Sequence, residues 1–367
     1  MTRLKRRIVE LIEALGPIPI SEYMALCLSD PQDGYYMTRE PFGRGGDFIT
    51  APEISQMFGE LIGVWLASAW RALGSPADAL IVEIGPGRGT LTKDIARTLA
   101  KIEPDLAASA RFTLVETSER LSQVQARTLE GSAGRFEWHR DISDLPRQPL
   151  LIVGNELFDA LQLRQYVRTE KGWRERVVSL NDDDDLAFFA GAGSVDPTLL
   201  PYDAATAPTG AIVELAPARS ALMQKIAERI AADGGAGLFI DYGYLHPAVG
   251  DTLQAVRRHA PEDVLASPGE ADLTAHVDFA ALASVARTCG LDPRAMTQGE
   301  FLLAMGLLER AGQLGASADD AVRERISGEV ERLAGPDAMG DLFKVLAVLP
   351  RGVGVPPFPS LIDPSVL

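Results

Sequence analysis

The stretch Ala79-Leu80-Ile81-Val82-Glu83-Ile84-Gly85-Pro86-Gly87-Arg88-Gly89-Thr90 constrains this chain more than any other. An apolar run of strand length enters three alternating glycines, and a helical pattern follows over 90–100. Glycine takes left-handed backbone at no steric cost, so the spacing predicts a strand that turns sharply into a helix, with helix N-terminal amides near a ligand. The spacing is G-x-G-x-G. Thr90 stands where the last glycine of a dinucleotide fingerprint would fall, and no Walker lysine follows. Glu83 lies two positions before the first glycine. A carboxylate there is a poor neighbour for a pyrophosphate. It is a good one for the sulfonium and ammonium of S-adenosylmethionine (SAM), which carries no phosphate. The plainer alternative, glycines that only turn the chain, stays open on these residues alone.

The surroundings support an α/β domain with a mainly parallel sheet. Apolar runs recur at 79–84, 112–116, 150–154, 212–215 and 236–240, and helical patterns at 90–100, 118–129 and 218–232 separate several of them. Late helices are expected at 277–289 and 318–334, and a final strand at 342–349. Before the motif, Leu4, Ile8, Leu11, Ile12 and Leu15 predict a helix that Gly16-Pro17 stops. Ser21 suits the N-cap of a second helix reaching Leu28. Residues 30–52 form a Pro/Gly-rich loop whose Tyr35, Tyr36, Phe42 and Phe48 predict an ordered, packed segment, and 53–73 reads as an apolar helix. Residues 162–180 read as a β-hairpin around Lys171-Gly172. The acidic, Gly/Pro/Ala-rich stretch 181–210 reads as a solvated excursion, and 245–275 as a cover for the active edge of the sheet. The expected division is an N-terminal helical cap with an active-site loop over 1–75, then a core over 76–367 with insertions at about 162–210 and 245–275.

Charge narrows the function. There are 35 Lys and Arg against 51 Asp and Glu, a formal charge of −16. That balance argues against broad binding to nucleic acid. The best basic cluster, Arg164, Arg168, Lys171, Arg174 and Arg176, is diluted by Glu170 and Glu175. Cys27 and Cys289 are far apart and His139, His246, His259 and His276 are scattered, so neither a disulfide framework nor a metal site is expected. No apolar run is long enough to span a bilayer. The basic N-terminus reads as an exposed helix end rather than a targeting segment, which suggests a cytoplasmic protein.

Ligands of open parallel sheets bind beyond the carboxyl ends of the strands. Glu116 ends the second strand and suits the two ribose hydroxyls of a nucleoside. Asp141 follows the third strand and suits the adenine amino group, with Ile142 against the ring. The fourth strand ends in Asn155-Glu156-Leu157-Phe158-Asp159-Ala160, which should border the reacting methyl. Asn155 is grouped with the cofactor residues. Glu156 and Asp159 are two acids in a mostly apolar setting, and such a pair fits a cationic acceptor such as a guanidinium. Each residue also has a plain reading: Glu116 as a solvated strand-end charge, Asn155 and Asp159 as turn or helix caps.

The chain resembles the MidA family of class I SAM-dependent methyltransferases, the group that includes the mitochondrial complex I assembly-factor arginine methyltransferase. The blocks Gly46–Glu60, Glu83–Thr90 and Gly154–Leu161 carry the resemblance, with later support from Phe239–Tyr244, Asp272–Phe279 and Thr297–Leu302. Gln162 departs from the proline usual in the family at that point. The resemblance implies a Rossmann-like class I fold with a mainly parallel seven-stranded sheet and SAM as cofactor. For the mitochondrial relatives it implies a matrix location and symmetric dimethylation of an arginine on a complex I subunit. It also inclines the first block, with Gly46, Thr50 and Glu53, to fold over the cofactor or acceptor, although Glu53 equally suits a helix-capping acid. Asp241 and Tyr242 fall at the reactive edge, Tyr242 as a wall rather than a base. The expected activity is therefore protein arginine N-methylation, with a protein as partner. Its rivals are methylation of RNA or a small molecule, and a non-catalytic SAM-binding assembly chaperone. Intact acids at Glu83, Glu116 and Glu156 favour an enzyme over the chaperone.

Overall fold

Strands buried on both faces read as unbroken apolar runs, and four of the five runs seen in the sequence build the central sheet, whereas 212–215 joins a separate antiparallel sheet. The computed structural model describes residues 2–38, 50–258 and 260–358. Seven strands form the sheet: β1 (Leu80–Ile84), β2 (Arg111–Val115), β3 (Arg135–His139), β4 (Leu150–Asn155), β5 (Gly235–Tyr244), β6 (Leu291–Thr297) and β7 (Phe343–Pro350). Their order is β6-β7-β5-β4-β1-β2-β3. Every residue of β1 and β4 is buried. β7 runs antiparallel to both its neighbours, and the pairings from β5 to β3 are parallel. A two-residue strand, Val277–Asp278, adds to the end of β5. The parallel register sets Ile84, Val115 and His139 level, and Asn155 level with Ile240. The carboxyl ends of five strands therefore share one edge.

No strand is expected at 291–297, where Pro293 cannot donate to a ladder. Proline is tolerated at a sheet edge, and among the described residues β6 pairs only with β7.

The contacts divide the chain into two units: Met1–Phe48, Phe158–Ala221 and His246–His276 form one, and Ile49–Leu157, Leu222–Leu245 and Val277–Leu367 the other. The central sheet lies in the second. So does helix α1 (Gln56–Ala72), which buries Trp65 and Phe58 in the main core. α1 begins later than the expected residue 53, because Ser55 breaks away from the short turn Ala51–Ile54 and caps the amide of Met57. α1 packs closely on α2 (Thr90–Ile102): a Cβ on Gly59 would stand 2.6 Å from that of Asp94.

In the first unit, the expected hairpin is the pair Arg164–Thr169 and Gly172–Leu180. Ile18–Pro19 and Ile212–Leu215 extend the same antiparallel sheet. Pairing of Ile18–Pro19 with Val177 and Val178 brings the next helix, Ile20–Ser29, forward, so Pro19 rather than Ser21 holds the N-cap position. The stretch 181–210 is not all loop. Asn181 Oδ1 accepts the amides of Asp183 and Asp185 in a turn, and Leu186–Ser194 returns as a strand on Gly172–Leu180. Its Ala/Gly-rich sequence lacks the alternation that marks strands. Residues 245–275 include a small antiparallel sheet of Gln254–Arg257, Ala260–Glu262 and Asp272–Thr274. The first helix, Arg3–Leu15, buries Leu4, Ile8 and Ile12 in one cluster with Leu163 and Val178. Tyr35 is buried edge-on to Tyr36, while Phe42, Gly45, Gly46, Phe48 and His259 lie outside the described residues.

Both cysteines are free thiols. Among the described residues no cluster of His, Cys, Asp or Glu has metal-binding geometry, and no helix is long and apolar enough to cross a membrane.

Candidate active site

The glycine turn has the backbone its spacing requires. Gly85, Gly87 and Gly89 have φ of 66°, 51° and 83°, a region that strains any side chain. Gly89 is the N-cap of α2 and brings no side-chain cap, so the first amides of α2 keep their donors for a ligand.

Glu83, near the end of β1, meets the first turn of α2. It is buried, and the hydroxyl of Thr92 on α2 donates to its carboxylate. Burial pushes its pKa up to about 7, with Thr92 opposing. The fold thus keeps a proton that the unfolded chain loses above its ordinary 4.5. Stability from this group falls as pH rises from about 4.5 to about 7. Glu83→Gln is expected to gain about 1–2 kcal/mol at pH above 7 and to flatten that slope in urea unfolding. Asp94, pushed up to about 6 by burial, tilts stability the same way and remains in the variant.

At the tip of β2, Glu116 accepts the amide of Ser118 at 2.8 Å and the side-chain amide of Gln125 at 3.0 Å. Burial raises its pKa, and these two donors oppose the rise. A carboxylate has about four lone-pair sites, and the Thr117 amide also bonds this one, so acceptor capacity remains for a ribose hydroxyl. Gln125, on α3 (Glu119–Leu129), was missed in the sequence. It is fully buried and also donates to the Gly87 carbonyl at 2.9 Å and accepts from the Trp138 indole at 2.9 Å. One side chain thus ties the glycine turn, the β2 tip and β3 together. A cavity of about 340 Å³ opens between Glu116, Ser122 and Trp138.

Asp141 is half-exposed and caps the turn Ile142–Asp144, accepting from the amide and hydroxyl of Ser143 at 2.9 and 2.6 Å. The Ser143 bonds lower its pKa. Ile142 is buried, and its carbonyl is held by Arg229 of helix α4 (Pro217–Asp233), which also bonds the carbonyls of Leu145 and Pro146.

From the first block, Glu53 accepts from the Thr90 hydroxyl at 2.5 Å, so the segment meets the start of α2. Thr50 is the N-cap of the turn Ala51–Ile54 and makes no side-chain cap bond. Gly46 is outside the described residues. Asp241 is buried on β5 and accepts the amide of Tyr242, whose ring stands edge-on to Phe343 at 5.4 Å. Tyr242 packs as a wall of the main core.

The end of β4 has an unusual local geometry. Glu156 has φ of 51°, left-handed backbone that a non-glycine residue rarely adopts. Its amide bonds the Ile240 carbonyl at 2.8 Å, and its carboxylate accepts from Asn155 at 3.1 Å. Asn155 is buried, and its Oδ1 has no hydrogen-bond partner among the described residues. A buried acceptor left this way costs free energy unless a ligand N–H meets it. The ammonium of SAM and a guanidinium both bring such donors. The glycine cradle, the spare lone pairs of Glu116 and this orphan oxygen fit SAM. Asp159 belongs to the first unit. It is buried, and its carbonyl accepts from Ala275 and from Arg219 on α4. Arg219, also missed, is buried and holds the carbonyls of Leu161, Ala275 and His276 as well.

A family model describing S-adenosyl-L-methionine-dependent methyltransferases matches residues 61–297. The chain is 37% identical over 368 residues to the mitochondrial protein arginine methyltransferase NDUFAF7 of Danio rerio, covering 94% of this chain and 86% of that one. It is 36% identical over 378 residues to the Homo sapiens protein of the same name, covering 96% and 84%. Among solved structures, a Burkholderia thailandensis protein bound to S-adenosyl-homocysteine superposes with a TM-score of 0.82 at 29% identity, covering 95% of this chain and 92% of that one.

Proposed function

Since the chain belongs to the family of S-adenosyl-L-methionine-dependent methyltransferases, we propose that it methylates a guanidinium nitrogen of arginine in a protein partner. The observation that carries the reading is the end of β4. There the Glu156 carboxylate stands on left-handed backbone at the carboxyl end of the strand, with the Asn155 side-chain amide donating to it at 3.1 Å. A carboxylate held this way suits a ligand rich in N–H donors, and a guanidinium has five in a planar fork. The arginine methyltransferase names of the relatives point the same way. The resemblance further suggests a subunit of respiratory complex I type as acceptor.

When bound, SAM supplies an electrophilic methyl. Gly85, Gly87, Gly89 and Thr90 would cradle it, Glu116 would take the ribose hydroxyls, Asp141 and Ile142 would hold the adenine, and Asn155 would meet an N–H of the cofactor. A protonated guanidinium is a poor nucleophile, so the protein must position it and draw its charge away from the attacking nitrogen. Glu156 is assigned that clamp. Asp159, three residues along, is assigned the orienting role and the proton released from the methylated nitrogen. Gly46, Thr50, Glu53, Asp241 and Tyr242 are assigned to the acceptor side.

The test uses purified protein, SAM labelled in its methyl and an extract of cells lacking the protein. Label on an arginine of a polypeptide, located by mass spectrometry, is the expected outcome. Label in RNA or a small molecule, or no labelled species, overturns the reading.

A further inference from the structure

The antiparallel sheet of the first unit carries a second concavity, of about 770 Å³, lined by none of the residues assigned to methyl transfer above. Four basic side chains line it, Arg168, Lys171, Arg174 and Arg176, with two acids, Glu170 and Asp251. Arg176 and Asp251 neutralise each other at 2.8 Å. Glu175, which dilutes the cluster in the sequence, is paired with Arg164 at 3.6 Å, and neither lines the groove. Among the described residues Arg168, Lys171 and Arg174 have no ion-pair partner, so three cations face one carboxylate. This surplus stands out on a chain of net charge −16.

The groove also has an apolar side. Val167 and Ile212 line it beside Phe188, whose ring lies 3.8 Å from the Arg176 guanidinium, and Phe189 is exposed. Phe188, Phe189 and Ala190 belong to the strand Leu186–Ser194, which among the described residues pairs on one side only, with Gly172–Leu180. Its regular part, Leu186–Ala190, has neither charge nor proline, the usual guards of an open edge. An extended segment can add to such an edge through backbone hydrogen bonds while alternate side chains reach the adjoining pocket.

We propose that this groove is a docking site for an extended, acidic segment of a partner protein that alternates carboxylates with apolar side chains. Charge complementarity favours it, and the open edge selects extended backbone. RNA fits less well. Three cations neutralise few phosphates, Arg176 already stacks on Phe188, and the rest of the chain repels a polyanion. The proposal does not depend on what the chain methylates.

The probe is a fluorescein-labelled peptide of alternating glutamate and valine with a central phenylalanine, titrated into the full chain and followed by anisotropy. Saturable binding that weakens with added salt is expected, and a lysine–valine peptide should bind at least about tenfold more weakly. Lys171→Glu with Arg174→Glu should lower affinity for the acidic peptide by about tenfold or more, with S-adenosylhomocysteine affinity unchanged as the check on folding. Should the double variant fail that check, Lys171→Glu alone, at an exposed turn, should still lose about threefold. Absence of saturable binding, equal affinity in the charge-reversed variants, or tighter binding of single-stranded RNA than of the peptide overturns the proposal.

Discussion

Glu156→Gln is expected to slow methyl transfer by ~10²–10³-fold, with S-adenosylhomocysteine affinity unchanged. Glutamine keeps the volume and one acceptor oxygen but places an NH₂ where the second oxygen stood. Two donors then face each other across the clamp, and the charge that draws the guanidinium is gone. The backbone allows a sharper test. Left-handed φ costs a non-glycine residue about 1–2 kcal/mol, and Glu156 adopts φ of 51°. Glu156→Gly relieves that strain, so its stability should hold or rise by up to about 1 kcal/mol while transfer is lost. Thermal unfolding and a labelled-methyl assay on both variants check this. Activity and stability moving in opposite directions at one residue is the mark of strain kept for function. Wild-type transfer by Glu156→Gln would reject the clamp.

How much was legible depended on how each residue meets its surroundings. β1, β2, β4 and β5 were readable because burial on both faces demands unbroken apolar runs, and the glycine turn because three positive φ values demand glycine at those positions. β6 was not, because an edge strand tolerates Pro293 and proline signals the opposite. The strand Leu186–Ser194 was hidden by alanines and glycines that carry no alternation. The cap that Asp141 places on Ile142–Asp144 was not read, since an aspartate after a strand suits a cap or a ligand equally. The buried polar hubs were missed for a subtler reason. On α3 the buried positions are Leu121, Gln125 and Leu129, and on α4 Arg219 precedes Met223 by one helical turn of the buried stripe. A polar residue in phase with an apolar stripe is the signal that was there to read.

Gln125→Leu is the second test with a large expected effect. Leucine continues the stripe of α3 and nearly fills the same volume, so apolar packing is kept and only the polar bonds are lost. Those bonds are three: to Gly87, to Glu116 and from Trp138. Their loss leaves the Trp138 indole N–H without its acceptor and Glu116 without one of its donors. Each buried group so stranded costs about 1–3 kcal/mol, so stability should fall by about 2–4 kcal/mol. Affinity for S-adenosylhomocysteine should fall by ~10–100-fold, since the turn and the ribose carboxylate lose their common anchor. Gln125→Glu separates the two effects. It keeps an acceptor for Trp138 but sets a second carboxylate against that of Glu116. Two such acids share a proton, so cofactor affinity in this variant should improve as pH is lowered, measured by calorimetry, while Gln125→Leu shows no such recovery. A loss of stability in Gln125→Leu with unchanged cofactor affinity would make Gln125 a core residue and leave the organisation of the turn to the glycines alone.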